Sequence, residues 1–206
     1  VEAGILGACM QAAVAVGLDN RAPDPGSIRP ELPKHEAFHD KAQLAAAFVE
    51  TWPKGSRALA RAILERYGAP DSVAASQLTW TNRRPYRSVV VYREEDWLGH
   101  GVLEQTIAYR VPVARWSELT AFSNGVTYDP AKEVLSVRGP GEEVNVLALN
   151  VAHDLVRGSR DVEEARSFYK KTLALTESGK SSRYTKHLLF DPSEDSVRRR
   201  LLRRLP

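Results

Sequence analysis

The sequence is almost without cysteine, since Cys9 is the only one among 206 residues. A single cysteine excludes a disulfide within the chain and leaves no cysteine pair for a structural zinc site. Stability must therefore come from a hydrophobic core. The composition, 43% hydrophobic and 27% charged, is typical of a folded globular protein. On this basis we expect a cytoplasmic protein.

Long apolar runs are also missing. The most apolar stretch, residues 3–18, is shorter than the roughly 20 residues that a membrane-spanning helix needs. Four prolines follow between Pro23 and Pro33, and they favour an extended connector over a helix. Residues 1–33 are therefore interpreted as an apolar N-terminal segment with a Pro-rich connector, and no membrane partner is expected.

Positive charge is concentrated at the C-terminus. The net charge is +3, whereas residues 196–206 hold five arginines and no acid, so the rest of the chain is slightly acidic. A nucleic-acid-binding domain typically spreads lysine and arginine over a folded face, so a nucleic-acid partner is not expected. We interpret residues 177–206 as a loop and a basic C-terminal helix. Its leucines recur on one side, which favours docking on a protein partner or on a second copy of the chain.

The order of the apolar patterns predicts a single α+β domain over residues 34–176. We expect a mainly antiparallel sheet of about five strands with helical hairpins before and after it. Ser56 and Gly68 are predicted to begin and end one helix of the first hairpin. The predicted strands lie at 77–80, 88–92, 103–111, 126–128 and 134–137, and the predicted helices at 40–52, 56–68, 113–122, 142–157 and 161–173.

One short string matches a metallopeptidase pattern: His35-Glu36-Ala37-Phe38-His39 has the form HExxH. On a helix, this spacing places two histidines on one side as zinc ligands, and the glutamate activates a water. Here Pro33 precedes the string and a capping box begins at Asp40, so the string is expected to lie before the helix. A zinc-dependent hydrolase with Zn held by His35 and His39 is therefore an alternative hypothesis.

A group of polar residues interrupts the otherwise apolar helix predicted at 142–157. Residues three or four apart share a helical face, so Asn150, His153 and Arg157 are expected to point in similar directions. If that face covers the strand containing Glu104, the imidazole and the carboxylate can form an acid–base pair in a polar pocket between sheet and helix. We therefore predict Glu104 and His153 as catalytic residues. The predicted substrate-binding residues are His100, Arg110, Asn150 and Arg157.

The competing interpretation is that these side chains form the solvated stripe of an amphipathic helix. The sequence contains no phosphate-binding glycine loop, nucleophilic serine motif or sequence-adjacent cysteine–histidine pair. No cofactor is therefore expected for the predicted pocket.

Several short strings between residues 78 and 169 resemble an uncharacterised group of bacterial proteins. The strings are Val91-Tyr92-Arg93-Glu94-Glu95, Leu103-Glu104-Gln105, Tyr109-Arg110-Val111-Pro112, Leu147-Ala148-Leu149-Asn150 and Val162-Glu163-Glu164-Ala165-Arg166, with Ile107, Asn145, Phe168 and Tyr169. This span is a little under half of the chain. The resemblance implies one folded unit there and no particular activity, and it leaves out the HExxH string and the Arg-rich tail.

Three functions of different classes are compatible with these patterns. The leading hypothesis is that the protein binds or transforms a small-molecule ligand in the polar pocket, which requires Glu104 and His153 to lie within hydrogen-bond reach. The first alternative is the zinc-dependent hydrolase with the string at 35–39. The second is a non-enzymatic interaction protein that docks through its terminal helices.

Overall fold

The computed structural model describes residues 41–95, 99 and 101–192. All of these residues belong to one compact unit. The described helices are α1 (Lys41–Glu50), α2 (Lys54–Tyr67), α3 (Trp116–Phe122, after a 3-10 turn at Val113–Arg115), α4 (Glu142–Arg157), α5 (Val162–Glu177) and α6 (Arg183–Lys186). The described strands are β1 (Ser72–Ala74), β2 (Gln77–Thr81), β3 (Ser88–Tyr92), β4 (Leu103–Ala108), β5 (Val126–Asp129) and β6 (Val134–Gly139).

The strands form one antiparallel sheet in the order β1-β2-β3-β4-β6-β5. The α+β class and the antiparallel sheet are confirmed, and the sheet has six strands where about five were expected. The additional strand, β1, has only three residues and no buried position, so its sequence carries no alternating apolar signal. The predicted strand at 103–111 ends at Ala108, because its partner β6 begins at Val134 directly opposite.

The two faces of the sheet differ in chemistry. Leu103, Gln105 and Ile107 of β4 are fully buried, whereas Glu104 and Ala108 on the other face are only partly buried and Thr106 there is 8% exposed. The buried face belongs to the same core cluster as residues of helices α1 to α5. Burial of each large aliphatic side chain there contributes about 1.5–3 kcal/mol. We call the other face, which carries Glu104, the polar face.

The predicted helical hairpins before and after the sheet are confirmed, with one boundary corrected. Helix α2 begins at Lys54 after Pro53, and the hydroxyl of Ser56 donates to the Pro53 carbonyl at 3.2 Å from inside the first turn. Ser56 is therefore not the N-cap. Gly68 ends the helix with a φ of 72°, as predicted. Within the described part of the chain, no helix is both long and apolar enough to cross a membrane.

Helix α4 is the central helix of the second hairpin. Ten of its 16 residues are buried, and it contacts β4, β5, β6, α3, α5 and α6. It ends at Gly158, whose φ of 74° permits the left-handed C-cap. The following helix α5 begins with the predicted capping box, in which Asp161 and Glu164 accept each other's backbone N–H.

Two glycines allow the start of β4, the end of β6 and the start of α4 to pack closely. A Cβ atom on Gly101 would lie 2.0 Å from the carbonyl carbon of Gly139, and a Cβ atom on Gly139 would lie 2.4 Å from Oδ1 of Asn145. Both distances are shorter than any real contact, so neither position tolerates a side chain without a shift of the backbone or of Asn145. The absence of a Cβ atom at Gly139 thus makes room for the Asn145 side chain.

We expect Gly139→Ala to lower the free energy of unfolding by about 2 kcal/mol, because the methyl group displaces Asn145 and leaves buried polar groups unpaired. The matched control is Gly141→Ala, since a Cβ atom there meets no atom within 4 Å. Gly141 is the N-cap of α4, where alanine is less favourable than glycine, so urea denaturation should place this control within about 1 kcal/mol of the wild type. If Gly139→Ala and Gly141→Ala lowered the free energy of unfolding equally, the result would contradict the close packing at Gly139.

Candidate functional site

The predicted catalytic pair is not formed. Side chains alternate along a strand, and Gln105 of β4 faces helix α4, where its Oε1 accepts a hydrogen bond from Asn145 Nδ2 at 3.2 Å. Glu104, the preceding residue, therefore points to the polar face, away from α4. His153 belongs to α4. The prediction that Glu104 and His153 share a pocket is wrong. Glu104 is one residue before Gln105, so its carboxylate lies on the opposite side of the sheet from α4.

Glu104 instead belongs to a cluster on the polar face. The Tyr92 hydroxyl donates to Glu104 Oε2 at 3.1 Å, and the Arg138 guanidinium lies 3.9 Å from the centre of the Tyr92 ring. Burial, followed by the negative charge of Glu104, raises the pKa of Tyr92 to about 12, and Arg138 opposes this shift. A concavity of about 490 Å³ adjoins Glu104. It is lined by Arg87, Ser88, Glu104, Thr106, Asp129, Lys132, Val134 and Ser136.

His153 contacts the C-terminal part of the described chain. Its Nδ1 lies 2.7 Å from the Tyr109 hydroxyl, and its ring stacks on Phe190 with centroids 4.1 Å apart and an interplanar angle of 7°. The neighbouring Asp154 accepts hydrogen bonds from Tyr184 at 2.9 Å and from Arg160 at 3.1 Å. These contacts attach residues 184–190 to helix α4. His153 and Asp154 therefore have a structural role.

Asn150 makes a similar attachment and is 1% exposed. Its Nδ2 donates to the carbonyls of Tyr184 and His187, both at 2.9 Å, and its Oδ1 accepts from the Leu189 amide at 2.8 Å. Both amide hydrogens are therefore used within the protein. The side chain that was predicted to bind substrate holds the segment after α6 against α4.

The remaining predicted site residues do not converge on one place. Arg110 is exposed and lies 3.6 Å from Glu133, and Arg157 is exposed at the end of α4. His100, His35 and His39 lie outside the described residues. In the described ranges, no group of three or more His, Cys, Asp or Glu side chains could hold a metal ion. The zinc hypothesis concerns residues that the structure does not describe and stays a prediction.

A cavity of about 300 Å³ lies at the other end of helix α4, where it meets the sheet. We call it the inner cavity, and its lining is Gly99, Gly101, Ser123, Asn124, Gly125, Val137, Arg138, Gly139, Pro140, Val144, Asn145 and Tyr169. Asn145 is fully buried, and its Nδ2 donates to Leu103 O at 3.0 Å and to Gln105 Oε1. Its Oδ1 has no hydrogen-bond partner among the described residues. An unsatisfied buried acceptor thus belongs to a residue that lines a cavity.

The turn between α3 and β5 borders this cavity in an unusual backbone conformation. Ser123, Asn124 and Gly125 have φ values of 55°, 50° and 76°. Positive φ is uncommon for residues other than glycine, and such conformations cluster at binding and catalytic sites. The turn places Ser123 and Asn124 in the lining of two adjoining cavities.

The second of these cavities has a volume of about 620 Å³ and lies between the turn and helix α5. We call it the outer cleft, and its lining is Ala121, Phe122, Ser123, Asn124, Glu163, Arg166, Ser167 and Lys170. Arg166 donates to the Ala121 carbonyl and lies 3.3 Å from Glu163. Tyr169, on the same helix, lines the inner cavity, and burial raises the pKa of its phenol, so it remains a hydrogen-bond donor at neutral pH.

Among the described residues that line the inner cavity and the outer cleft there is one carboxylate, Glu163, and neither histidine nor cysteine. The described side chains of the lining are therefore suited to binding by hydrogen bonds and charge. The sequence patterns did not predict this site, because the polar residues of α4 were grouped around His153. The available signal was Asn145, a polar residue in the first turns of an otherwise apolar helix, close after Gly139.

We expect Asn150→Ala to lower the free energy of unfolding by about 2–3 kcal/mol, because two carbonyls and one amide lose their partner. Hydrogen exchange should show faster exchange at Leu189, whose amide donates to Asn150. The amides of Val89 and Val91 in β3 serve as the internal control. Equal acceleration at Leu189 and in β3 would contradict a local attachment, since it would mean that exchange occurs through global unfolding.

A difference titration of phenolate absorbance between wild type and Tyr92→Phe should show Tyr92 ionising near pH 12. Because the folded-state pKa is raised, the stabilisation by Tyr92 is complete below its ordinary pKa of about 10 and is lost as pH rises through the folded-state value. Glu104→Gln removes a negative charge that disfavours the phenolate, so the midpoint should fall. An unchanged midpoint in Glu104→Gln would show that the carboxylate does not act on Tyr92.

Comparison of the chain with protein families, curated proteins and solved structures gives no significant match. The resemblance to a group of bacterial proteins therefore stays a prediction. No relative supplies a function, and the geometry of the inner cavity and outer cleft is the basis on which a function can be argued.

Proposed function

We propose that the protein binds a small polar molecule between the sheet and helix α4, at the Asn145 end of the helix. The single observation that carries this proposal is the Oδ1 atom of Asn145, which is buried and has no partner within the described part of the chain. This retains the predicted pocket between sheet and helix 142–157 but moves it from His153 to the inner cavity.

The unpaired acceptor specifies one feature of the ligand. A buried acceptor without a partner costs about 1–3 kcal/mol, and a ligand that donates a hydrogen bond recovers part of that cost. The ligand must therefore carry an O–H or N–H group that reaches Asn145. Tyr169 and Asn124 line the same cavity and can provide further polar contacts.

The dimensions of the site fit a small molecule. Ligand pockets typically have volumes of about 300–1,000 Å³. The inner cavity and outer cleft have volumes of about 300 and 620 Å³ and share Ser123 and Asn124. A ligand can thus place its donor group in the inner cavity and extend past the turn into the outer cleft.

Binding is favoured over catalysis by the chemistry of the lining. Glu163, the carboxylate in the outer cleft, is largely exposed and pairs with Arg166, and no second carboxylate, histidine or cysteine stands beside it among the described lining residues. The proposed activity is therefore reversible binding of a hydrogen-bond donor.

The test uses matched fragments on ¹⁵N-labelled protein: cyclohexanol against methoxycyclohexane, and benzamide against N,N-dimethylbenzamide. We expect the alcohol and the primary amide to shift the NMR signals of Gly125 and Asn145 in a saturable way, because only they donate a hydrogen bond. The methylated partners should leave these signals in place.

The blocking variant is Val144→Phe, which places a ring in the inner cavity, and the matched control is Glu143→Phe at the exposed neighbouring position outside the lining. Both variants are checked for folding by thermal denaturation. The shifts should disappear in Val144→Phe and persist in Glu143→Phe. Equal shifts from methylated and unmethylated fragments, or none from either, would overturn the proposal.

A further inference from the structure

We infer that the natural ligand is an anion of the phosphate-ester type, with its phosphate in the outer cleft and its hydroxyl or amine donor in the inner cavity. This inference rests on the proposed function and adds the chemical class of the ligand. It is carried by the side chains that helix α5 and the α3–β5 turn bring to the outer cleft.

The outer cleft carries a net positive charge. Arg166 and Lys170 are its cations and Glu163 is its carboxylate. Arg166 donates to the Ala121 carbonyl and pairs with Glu163, so its guanidinium lies beside the turn. An anion entering the cleft therefore meets a positive charge next to Ser123 and Asn124.

Lys170 is the cation available to a ligand. It lies four residues after Arg166 and therefore on the same side of α5. Its ammonium forms no ion pair or hydrogen bond within the described part of the chain, in contrast to Arg166. A long, flexible lysine that lines a cavity without a partner can reach an anionic oxygen.

Neutral donors complete the recognition of an anion. Ser123, Asn124 and Ser167 line the outer cleft together with Lys170. A phosphate ester has three terminal oxygens, each of which accepts strong charge-assisted hydrogen bonds, so it can engage the ammonium, a hydroxyl and an amide at once. A carboxylate has two oxygens and uses fewer of these donors.

The two cavities together define a two-part ligand. Because they share Ser123 and Asn124, a phosphate beside Lys170 and a donor beside Asn145 can belong to one small molecule. The sequence has no phosphate-binding glycine loop. The phosphate is recognised here by side chains of α5 and of the turn.

The test uses three probes on the full chain: inorganic phosphate, glycerol and glycerol 3-phosphate. NMR titration should show phosphate shifting the signals of Asn124 and Ser167, and glycerol 3-phosphate binding at least tenfold more tightly than phosphate or glycerol alone. Lys170→Ala should weaken the binding of phosphate and glycerol 3-phosphate about tenfold, the loss expected for one charge-assisted contact. Lys171→Ala is the matched control and should bind as the wild type does, since Lys171 is exposed and lies outside the lining.

The binding measurements on the wild type and the variants show whether the phosphate-ester inference fails while the proposed function stands. If donor fragments bind in the inner cavity but phosphate does not shift Ser167, the ligand is not a phosphate ester and the proposed function stands. If phosphate binds equally to wild type and Lys170→Ala, the site holds an adventitious ion only and the inference is overturned. If Lys170-dependent phosphate binding is present while Val144→Phe leaves the affinity for glycerol 3-phosphate unchanged, the two-part ligand is wrong.

Discussion

The requirement that buried amide groups be hydrogen-bonded determines how helix α4 is held in this protein. Asn145 joins the first turns of the helix to strand β4 through Leu103 and Gln105, and Asn150 joins its middle to the segment after α6. An unpaired buried amide is costly, so these bonds fix the register of the helix against its neighbours. The sheet, helix α5 and the C-terminal part of the described chain are all arranged around α4.

The two asparagines differ in how many of their hydrogen-bonding atoms have partners. Asn150 uses its carbonyl oxygen and both amide hydrogens, whereas Asn145 leaves Oδ1 unpaired among the described residues. A saturated amide contributes only to stability, while an unsaturated one beside a cavity has a hydrogen bond to offer. The proposed site is at Asn145 for this reason. Gly139 makes room for Asn145 by having no side chain.

The charged side chains around the proposed site also differ in whether they have a partner. Several charged side chains of the sheet and of helix α5 already have a partner, such as Glu104 with Tyr92 or Arg166 with Glu163. Surface pairs of this kind contribute little to stability but do decide which charges remain available. Lys170 remains available next to the strained α3–β5 turn, so the outer cleft can attract an anion.

The sequence predicted the elements of the fold well, because periodicity and caps are local. Helix α4 with its end at Gly158, the capping box of α5 and the hairpin β5–β6 needed only neighbouring residues to be recognised. Strand β1 was missed because three exposed or partly exposed residues carry no pattern. The proposed site lies on the helix that the sequence analysis selected, but at the opposite end from His153.

The sequence by itself determined that this protein is an α+β fold with an apolar helix at 142–157 interrupted by asparagine and histidine. Only the tertiary structure decided which of those polar residues faces a cavity. The reason is that Glu104 and His153 lie on opposite sides of the sheet, and that Asn145 and the α3–β5 turn line one cavity only after β4, β6 and α5 have packed. The side of a strand on which a residue lies, and the cavity beside a helix, depend on contacts between residues far apart in the chain.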